Sequence, residues 1–176
     1  MALRRATPPD HLDPEEARQA AYATALRLLA GRDMATARLR DRLAARGFPA
    51  GAIDESVIRL TGIGALDDRR AAHTAARTLV VVRLRGRHRV GRELERLGFG
   101  HDEIEEALRD VVDDDAEAGA LARVVRSKLQ GRPIPDAAAY RRLFASLLRR
   151  GFPAGLIRAA LGGHWRRRGG EPDLEG

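Results

Sequence analysis

Arg38-Leu39-Arg40-Asp41-Arg42-Leu43-Ala44-Ala45-Arg46-Gly47-Phe48 is the stretch whose reading decides the fold. Its ending returns as Glu93-Leu94-Glu95-Arg96-Leu97-Gly98-Phe99 and again as Leu147-Leu148-Arg149-Arg150-Gly151-Phe152, the glycines standing 51 and then 53 positions apart. Aligned on those glycines, other columns match. Leu43, Leu94 and Leu147 stand four residues before, and Leu39, Val90 and Leu143 eight before. Ile53, Ile104 and Ile157 stand six after, and Val57, Leu108 and Leu161 ten after. A fixed period of this length is the mark of a repeat protein.

Apolar residues four apart line one face of a helix, so each glycine separates two helices. The glycine supplies the left-handed residue that ends the first, and the phenylalanine closes over the last turn in a Schellman-type contact. Gly47, Phe48, Gly98, Phe99, Gly151 and Phe152 are therefore structural residues. Pro49 and Pro153 stop the earlier helix and are tolerated in the first turn of the next. A third helical pattern precedes each pair, at Ala21, Ala25, Leu28 and Leu29, at Ala72, Ala76, Leu79 and Val80, and at Leu121, Ala122, Val125 and Leu129. Asp67-Asp68 and Asp113-Asp114-Asp115 stand where such helices begin and can cap their N–H groups; Gly31, Gly86 and Gly131 follow their ends.

The expected fold is all-α: three tandem three-helix repeats, about nine helices, forming an elongated, curved array. Repeat 1 spans 16-64, repeat 2 spans 65-112 and repeat 3 spans 113-164. Flexible tails are expected at 1-15 and 165-176, where Pro8, Pro9 and Pro14 or glycine and charge dominate. Leu79 to Val82 is a β-branched run without alternation, so it is read as helix and not strand. One unit of about fifty residues buries too little surface to be stable alone, which stacking remedies.

Composition narrows function. Of 176 residues 44% are hydrophobic but only 4% aromatic, and the net charge of +7 is carried almost wholly by arginine, Lys128 being the sole lysine. So basic a small protein is suited to a polyanion or an acidic protein surface. The absence of cysteine removes disulfides, thiol catalysis and thiolate metal sites. No long uncharged run is present, and a soluble, cytoplasmic protein without a membrane partner is expected.

No catalytic constellation emerges, and neither enzyme activity, metal nor cofactor is expected. His11, His73, His88, His101 and His164 lack metal-ligand spacing. Gly62-Ile63-Gly64 follows no strand and is followed by no Gly-Lys-Ser/Thr, so it is a turn and not a phosphate loop. The acidic set Asp102, Glu103, Glu105, Glu106, Asp110 and Asp113 to Asp115 coincides with helix starts and exposed faces. The basic cluster is the better candidate. Arg77, Arg83, Arg85, Arg87, His88, Arg89 and Arg92 bracket Gly86, and so dense a charge repels itself unless phosphates or an acidic groove neutralise it, the alternative being a solvated face. Without interleaved aromatics, stacking on single-strand bases is not expected. A second set comprises Arg149, Arg150, Arg158 and Arg166 to Arg168.

The pattern resembles the RecX family of RecA regulators. The residues that carry the resemblance are Ala25-Leu26-Arg27-Leu28-Leu29 and Arg38 to Phe48 in the first unit, and Ile63-Gly64-Ala65-Leu66-Asp67-Asp68, Ala72, Arg77 and Glu93 to Phe99 in the second. In the third they are Leu147 to Phe152 and Ile157. Coverage runs from about Ala20 to Leu161. Ala71-Ala72 stands where the family usually has an aromatic after the Asp-Asp pair. The resemblance implies a non-enzymatic modulator, mainly an inhibitor, lying as a monomer in the groove of the RecA filament on single-stranded DNA and restraining ATP hydrolysis, strand exchange or filament growth. Its partners would be that filament and single-stranded DNA directly, met through Arg77, Arg83, Arg85, Arg87, Arg89, Arg92, Arg149 and Arg150. The alternative is a general basic helical DNA-binding protein acting independently of RecA.

Overall fold

The computed structural model describes residues 13–165. Among these residues the chain is all-α: α1 (Pro14–Leu29), α2 (Thr36–Ala44), α3 (Ala50–Gly62), α4 (Asp68–Arg77), a π-helical turn (Thr78–Val82), α5 (Arg87–Leu97), α6 (His101–Val111), α7 (Asp114–Leu129), α8 (Ala137–Arg149) and α9 (Ala154–Gly162). Extended pairing among them is confined to one bridge between Ile134 and Trp165. The tails read as flexible from sequence lie mostly outside the described residues, as do His11 and Arg166 to Arg168. Where the two do meet, helix α1 starts at Pro14 and not at 16. Asp13 accepts from the amides of Glu15 and Glu16, and Glu16 returns a carboxylate to Asp13, a capping box ahead of a proline already set for helix.

The helices form two compact units. The first takes the chain through Ala72 together with Glu95–Glu103; the second takes His73–Leu94 and the chain from Ile104 onward, so the second repeat is divided between them. In the first, α1, α2 and α3 pack pairwise around Ala25, Met34, Leu39, Leu43, Ile53, Val57, Leu60 and Leu66. In the second, α7 packs on α9 and on the π-turn, and α8 on α9. Phe152, Leu147, Ile157 and Leu161 are buried there, and Tyr140 meets the Trp165 ring edge-on at 5.3 Å. The matched columns of the repeat line its interior: Leu43, Leu94 and Leu147 are all fully buried, while Leu108 and Leu143 are half-buried. Ala71 and Ala72 are buried too, so the position where an aromatic was expected faces the interior.

Gly47, Gly98 and Gly151 have φ of +82°, +90° and +93°, the left-handed residues that end α2, α5 and α8. The Phe48 and Phe152 amides reach back to the carbonyls of Leu43 and Leu147, closing the Schellman turns. Pro49 and Pro153 serve as N-cap residues of α3 and α9.

These turns are also joints between repeats. Gly98 lies against the start of α2, with Ala37 Cβ 3.5 Å from where its own Cβ would be. Gly151 lies against the start of α5 so closely that a Cβ would overlap the Arg89 backbone. Both recipient helices lack a cap of their own: α2 begins after Ala35 and α5 after Gly86. In each case the next repeat supplies one. Asp68 accepts from the Thr36 amide at 2.8 Å and its hydroxyl at 2.9 Å, and Glu117 accepts from the Arg87 amide at 2.6 Å. A carboxylate at a helix N-terminus satisfies an orphan donor and favours the dipole. In the third repeat α8 caps itself, Asp136 accepting from Ala139. Thus of the acidic residues read as caps of α4 and α7, Asp67 and Asp113 cap their own helices, while Asp68 reaches to the previous repeat.

Candidate functional site

No acidic residue occurs between Asp68 and Glu93, a run that holds eight arginines. How the chain folds here decides which of them face outward. Leu79-Val80-Val81-Val82 is longer than one helix face can bury. Leu79 and Val80 turn in, at 5% and 2% exposure, while Val81 and Val82 stay out, at 49% and 73%. The helix widens into a π-turn over this run, the Arg83 amide donating to the Thr78 carbonyl at 3.1 Å. Leu84 then takes φ of +51°. Gly86 follows the end of the first helix of its repeat, as read from sequence, but the left-handed residue there is Leu84, and Gly86 is needed for proximity. A Cβ on Gly86 would lie 2.5 Å from the Gly151 carbonyl carbon and oxygen. The Gly86 and His88 amides donate to the carbonyls of Arg150 and Gly151, at 3.0 and 3.2 Å. The middle arginine cluster and the third Gly-Phe turn are thereby one assembly.

Glu117 lies beneath it, only 2% exposed. Burial pushes its carboxyl above the ordinary range, opposed by the Arg87 amide and by the charges of Arg87 and His88. No local signal marks it, since Glu117 is one of several acids in the first turn of α7.

The arginines sort by what surrounds them. Arg77 and Arg83, on either side of the π-turn, are exposed, as are Arg92 and Arg149. Arg92 folds onto its own helix, donating to the His88 carbonyl at 3.2 Å. Arg89 is matched by Glu93 at 2.8 Å. Arg85, Arg87 and Arg150 are half-buried; the Arg85 Nε is enclosed without a hydrogen-bond acceptor, and Arg150 contributes its carbonyl to the Gly86 joint. Arg123, which sequence reasoning passed over, reaches from α7 to the Val81 carbonyl at 3.2 Å.

Groups suited to catalysis converge poorly among the described residues. His73 Nε2 lies 3.8 Å from Asp110, and these two with Glu106 have ligand atoms within 4.8 Å of one another, an arrangement that ties α4 to α6. A cavity of about 340 Å³ beside α7 and α9 is lined by Val125, Leu129 and Ala160 with Arg126 and His164 at its polar edge, and offers no nucleophile. No helix among the described residues is long and apolar enough to cross a membrane.

Fold and surface together define a protein of tandem three-helix repeats with a basic face. Residues 21–60 match the family model of the first three-helix domain of RecX, and residues 115–161 that of the third. The chain is 35% identical over 147 residues to the regulatory protein RecX of Mycobacterium ulcerans, covering 82% of this chain and 84% of that one. It is 34% identical over 142 residues to the regulatory protein RecX of Trichlorobacter lovleyi, covering 78% and 90%. In fold it is similar to the crystal structure of RecX from Lactobacillus salivarius, with a TM-score of 0.73 at 18% identity over 85% of this chain and 97% of that one. The chain belongs to the RecX family of regulatory proteins.

Proposed function

We propose that this chain is a non-enzymatic regulator that binds the RecA filament on single-stranded DNA and restrains its ATP hydrolysis, strand exchange or growth. Similarity to regulatory RecX proteins over four-fifths of the chain carries this reading. The surface suits it: Arg77, Arg83, Arg92 and Arg149 are exposed, and the turn between them is fixed by Glu117 and Gly151. Repeats over 16-64, 65-112 and 113-164 would each add a modest contact along the filament, tethering raising the local concentration of the next. On this reading the chain acts as a monomer in the cytoplasm.

The test is DNA-dependent ATP hydrolysis by RecA titrated with this protein. Hydrolysis is expected to fall at substoichiometric ratios, and a rate unchanged at every ratio sinks the proposal. The acid-free run from Arg69 to Arg92 favours one other reading, a general DNA-binding protein. That reading requires tight binding to naked DNA with a steep salt dependence and no preference for RecA-coated strands.

A further inference from the structure

The segment from Thr78 to Gly86 departs from ordinary backbone at consecutive points. It opens as a π-turn, places Leu84 in the left-handed region at φ +51°, and then brings Gly86 against the Gly151–Phe152 backbone with no room for a side chain. Such conformations persist where the surroundings fix them, and they gather at functional sites. Here the surroundings do fix them: Arg85 donates to Leu79, Gly86 to Arg150, His88 to Gly151, and Arg123 to the Val81 carbonyl.

What this backbone presents is a pair of valines. Val81 and Val82 are exposed at 49% and 73%, and no fold contact explains the more exposed of them. Around them stand Arg77, Arg83 and Arg123, all exposed; Arg77 and Arg83 enter no ion pair among the described residues. An apolar centre with an arginine rim is the anatomy of a protein contact, in which a desolvated anchor is ringed by charge. A nucleic-acid contact would look different. Phosphates have nothing to offer a valine pair, and unstacked bases are held on aromatic rings, of which there is none between Phe48 and Phe99.

We infer that the π-turn is a protein-docking element: Val81 and Val82 enter an apolar hollow whose border carries carboxylates that meet Arg77, Arg83 and Arg123. The inference rests on the regulator reading above and makes the occupant a protein face of the RecA filament, with DNA excluded from this part of the contact. The opposite charge of that border follows from the rim, since Arg77 and Arg83 stand in a run without an acid over residues 69–92 and Arg123 adds to them: a basic face would repel the three and a neutral one would leave their charge unmatched.

The experiment compares wild type with Val81→Ser/Val82→Ser and with Arg77→Gln/Arg83→Gln. Affinity is measured for RecA filaments on single-stranded DNA and for the bare strand, each at two salt concentrations, with thermal melting alongside. The valine variant is expected to lose tenfold or more in affinity for the filament, while its affinity for bare DNA and its melting stay those of wild type. The arginine variant is expected to weaken filament binding and flatten its salt dependence. If the double valine variant melts early, Val82→Ser alone, at the more exposed position, takes its place with a loss of threefold or more expected. A valine variant that binds filaments as wild type does overturns the inference and leaves the regulator reading standing; so does a parallel loss for filament and bare strand, which makes DNA the occupant. A wild-type chain that binds no filament overturns both.

Discussion

Replacing Gly151 by alanine tests the repeat joint directly. Gly151 has φ of +93°, and a Cβ there would overlap the backbone nitrogen and Cβ of Arg89 and lie 2.9 Å from its Cα. The left-handed conformation alone costs a Cβ-bearing residue about 1–2 kcal/mol. The overlap adds to it in one of two ways. If the turn stays in place, the crowding costs about 1–3 kcal/mol. If it moves away, the bonds from Gly86 and His88 to Arg150 and Gly151 go, at about 0.5–1.5 kcal/mol each. Either route brings the total to about 2–5 kcal/mol, or a fall of about 5–15 °C in melting temperature for a chain of this length.

Three further glycines calibrate the result. Gly64 has φ of +68° with nothing within 4 Å of its Cβ position, so Gly64→Ala incurs the conformational cost alone. Gly98→Ala, with Ala37 at an ordinary 3.5 Å, should match it. Gly155, inside α9 with open space, should become slightly more stable as alanine, by about 0.5–1 kcal/mol. Melting by circular dichroism gives the order, and amide exchange at Gly86 and His88 reports whether the joint opens. A Gly151→Ala melting no lower than that of Gly64→Ala refutes the joint. Exchange at those two amides separates the two routes, rising if the turn moves away and staying as in wild type if it holds its place.

Other outcomes follow from the same contacts. Because burial raises the Glu117 carboxyl, the folded chain holds that proton more tightly than the unfolded one, so this group's contribution to stability is greatest below the ordinary glutamate range and is lost as pH rises through the raised value. Glu117→Gln, which keeps an acceptor for the Arg87 amide, should remove that decline and be at least as stable as wild type at pH 7; melting temperatures across pH 4 to 8 decide it, and an unaltered profile refutes the assignment. Asp68→Ala should cost about 1–3 kcal/mol, because the Thr36 amide and hydroxyl lose their acceptor, and denaturant unfolding measures it. Phe152→Ala should cost about 3–5 kcal/mol and Phe48→Ala clearly less, since Phe152 is fully buried and Phe48 half-buried; equal losses would contradict the burial seen.

The helices were legible because the signals that specify them are local. Apolar residues at helical spacing, a glycine for a left-handed φ and a proline after it lie within a dozen residues of one another, and each column they define is interior or near it. The joints were not legible, because they depend on residues far apart in sequence. Nothing local distinguishes Asp68 from Asp67, yet one reaches Thr36 and the other caps its own helix. The role of Gly86 was hidden for a related reason: a glycine after a helical pattern signals a helix end, whereas this one is required by the approach of Gly151. The Val81-Val82 surplus was present in the sequence, and taking the run for ordinary helix concealed that two of its four residues had nowhere to go.

This division bears on where recognition is sought. Arginine density alone centres the surface on Gly86, where Arg85, Arg87 and Arg89 stand. Those three are the ones drawn into the fold, by enclosure, by proximity to Glu117 and by pairing with Glu93 respectively. Charge reversal there would injure the joint as well as the surface, and lost binding could not be assigned to either. Arg77 and Arg83 carry no such burden, and they flank a turn held by its own backbone bonds, by the Arg123 side chain on the Val81 carbonyl and by the carbonyls of Arg150 and Gly151. A surface held rigid before contact loses little conformational freedom on binding, which lets a small contact contribute usefully within an array. The half-buried arginines thus belong to the fold around Gly86, and on the proposed reading the exposed ones beside the valines meet the partner.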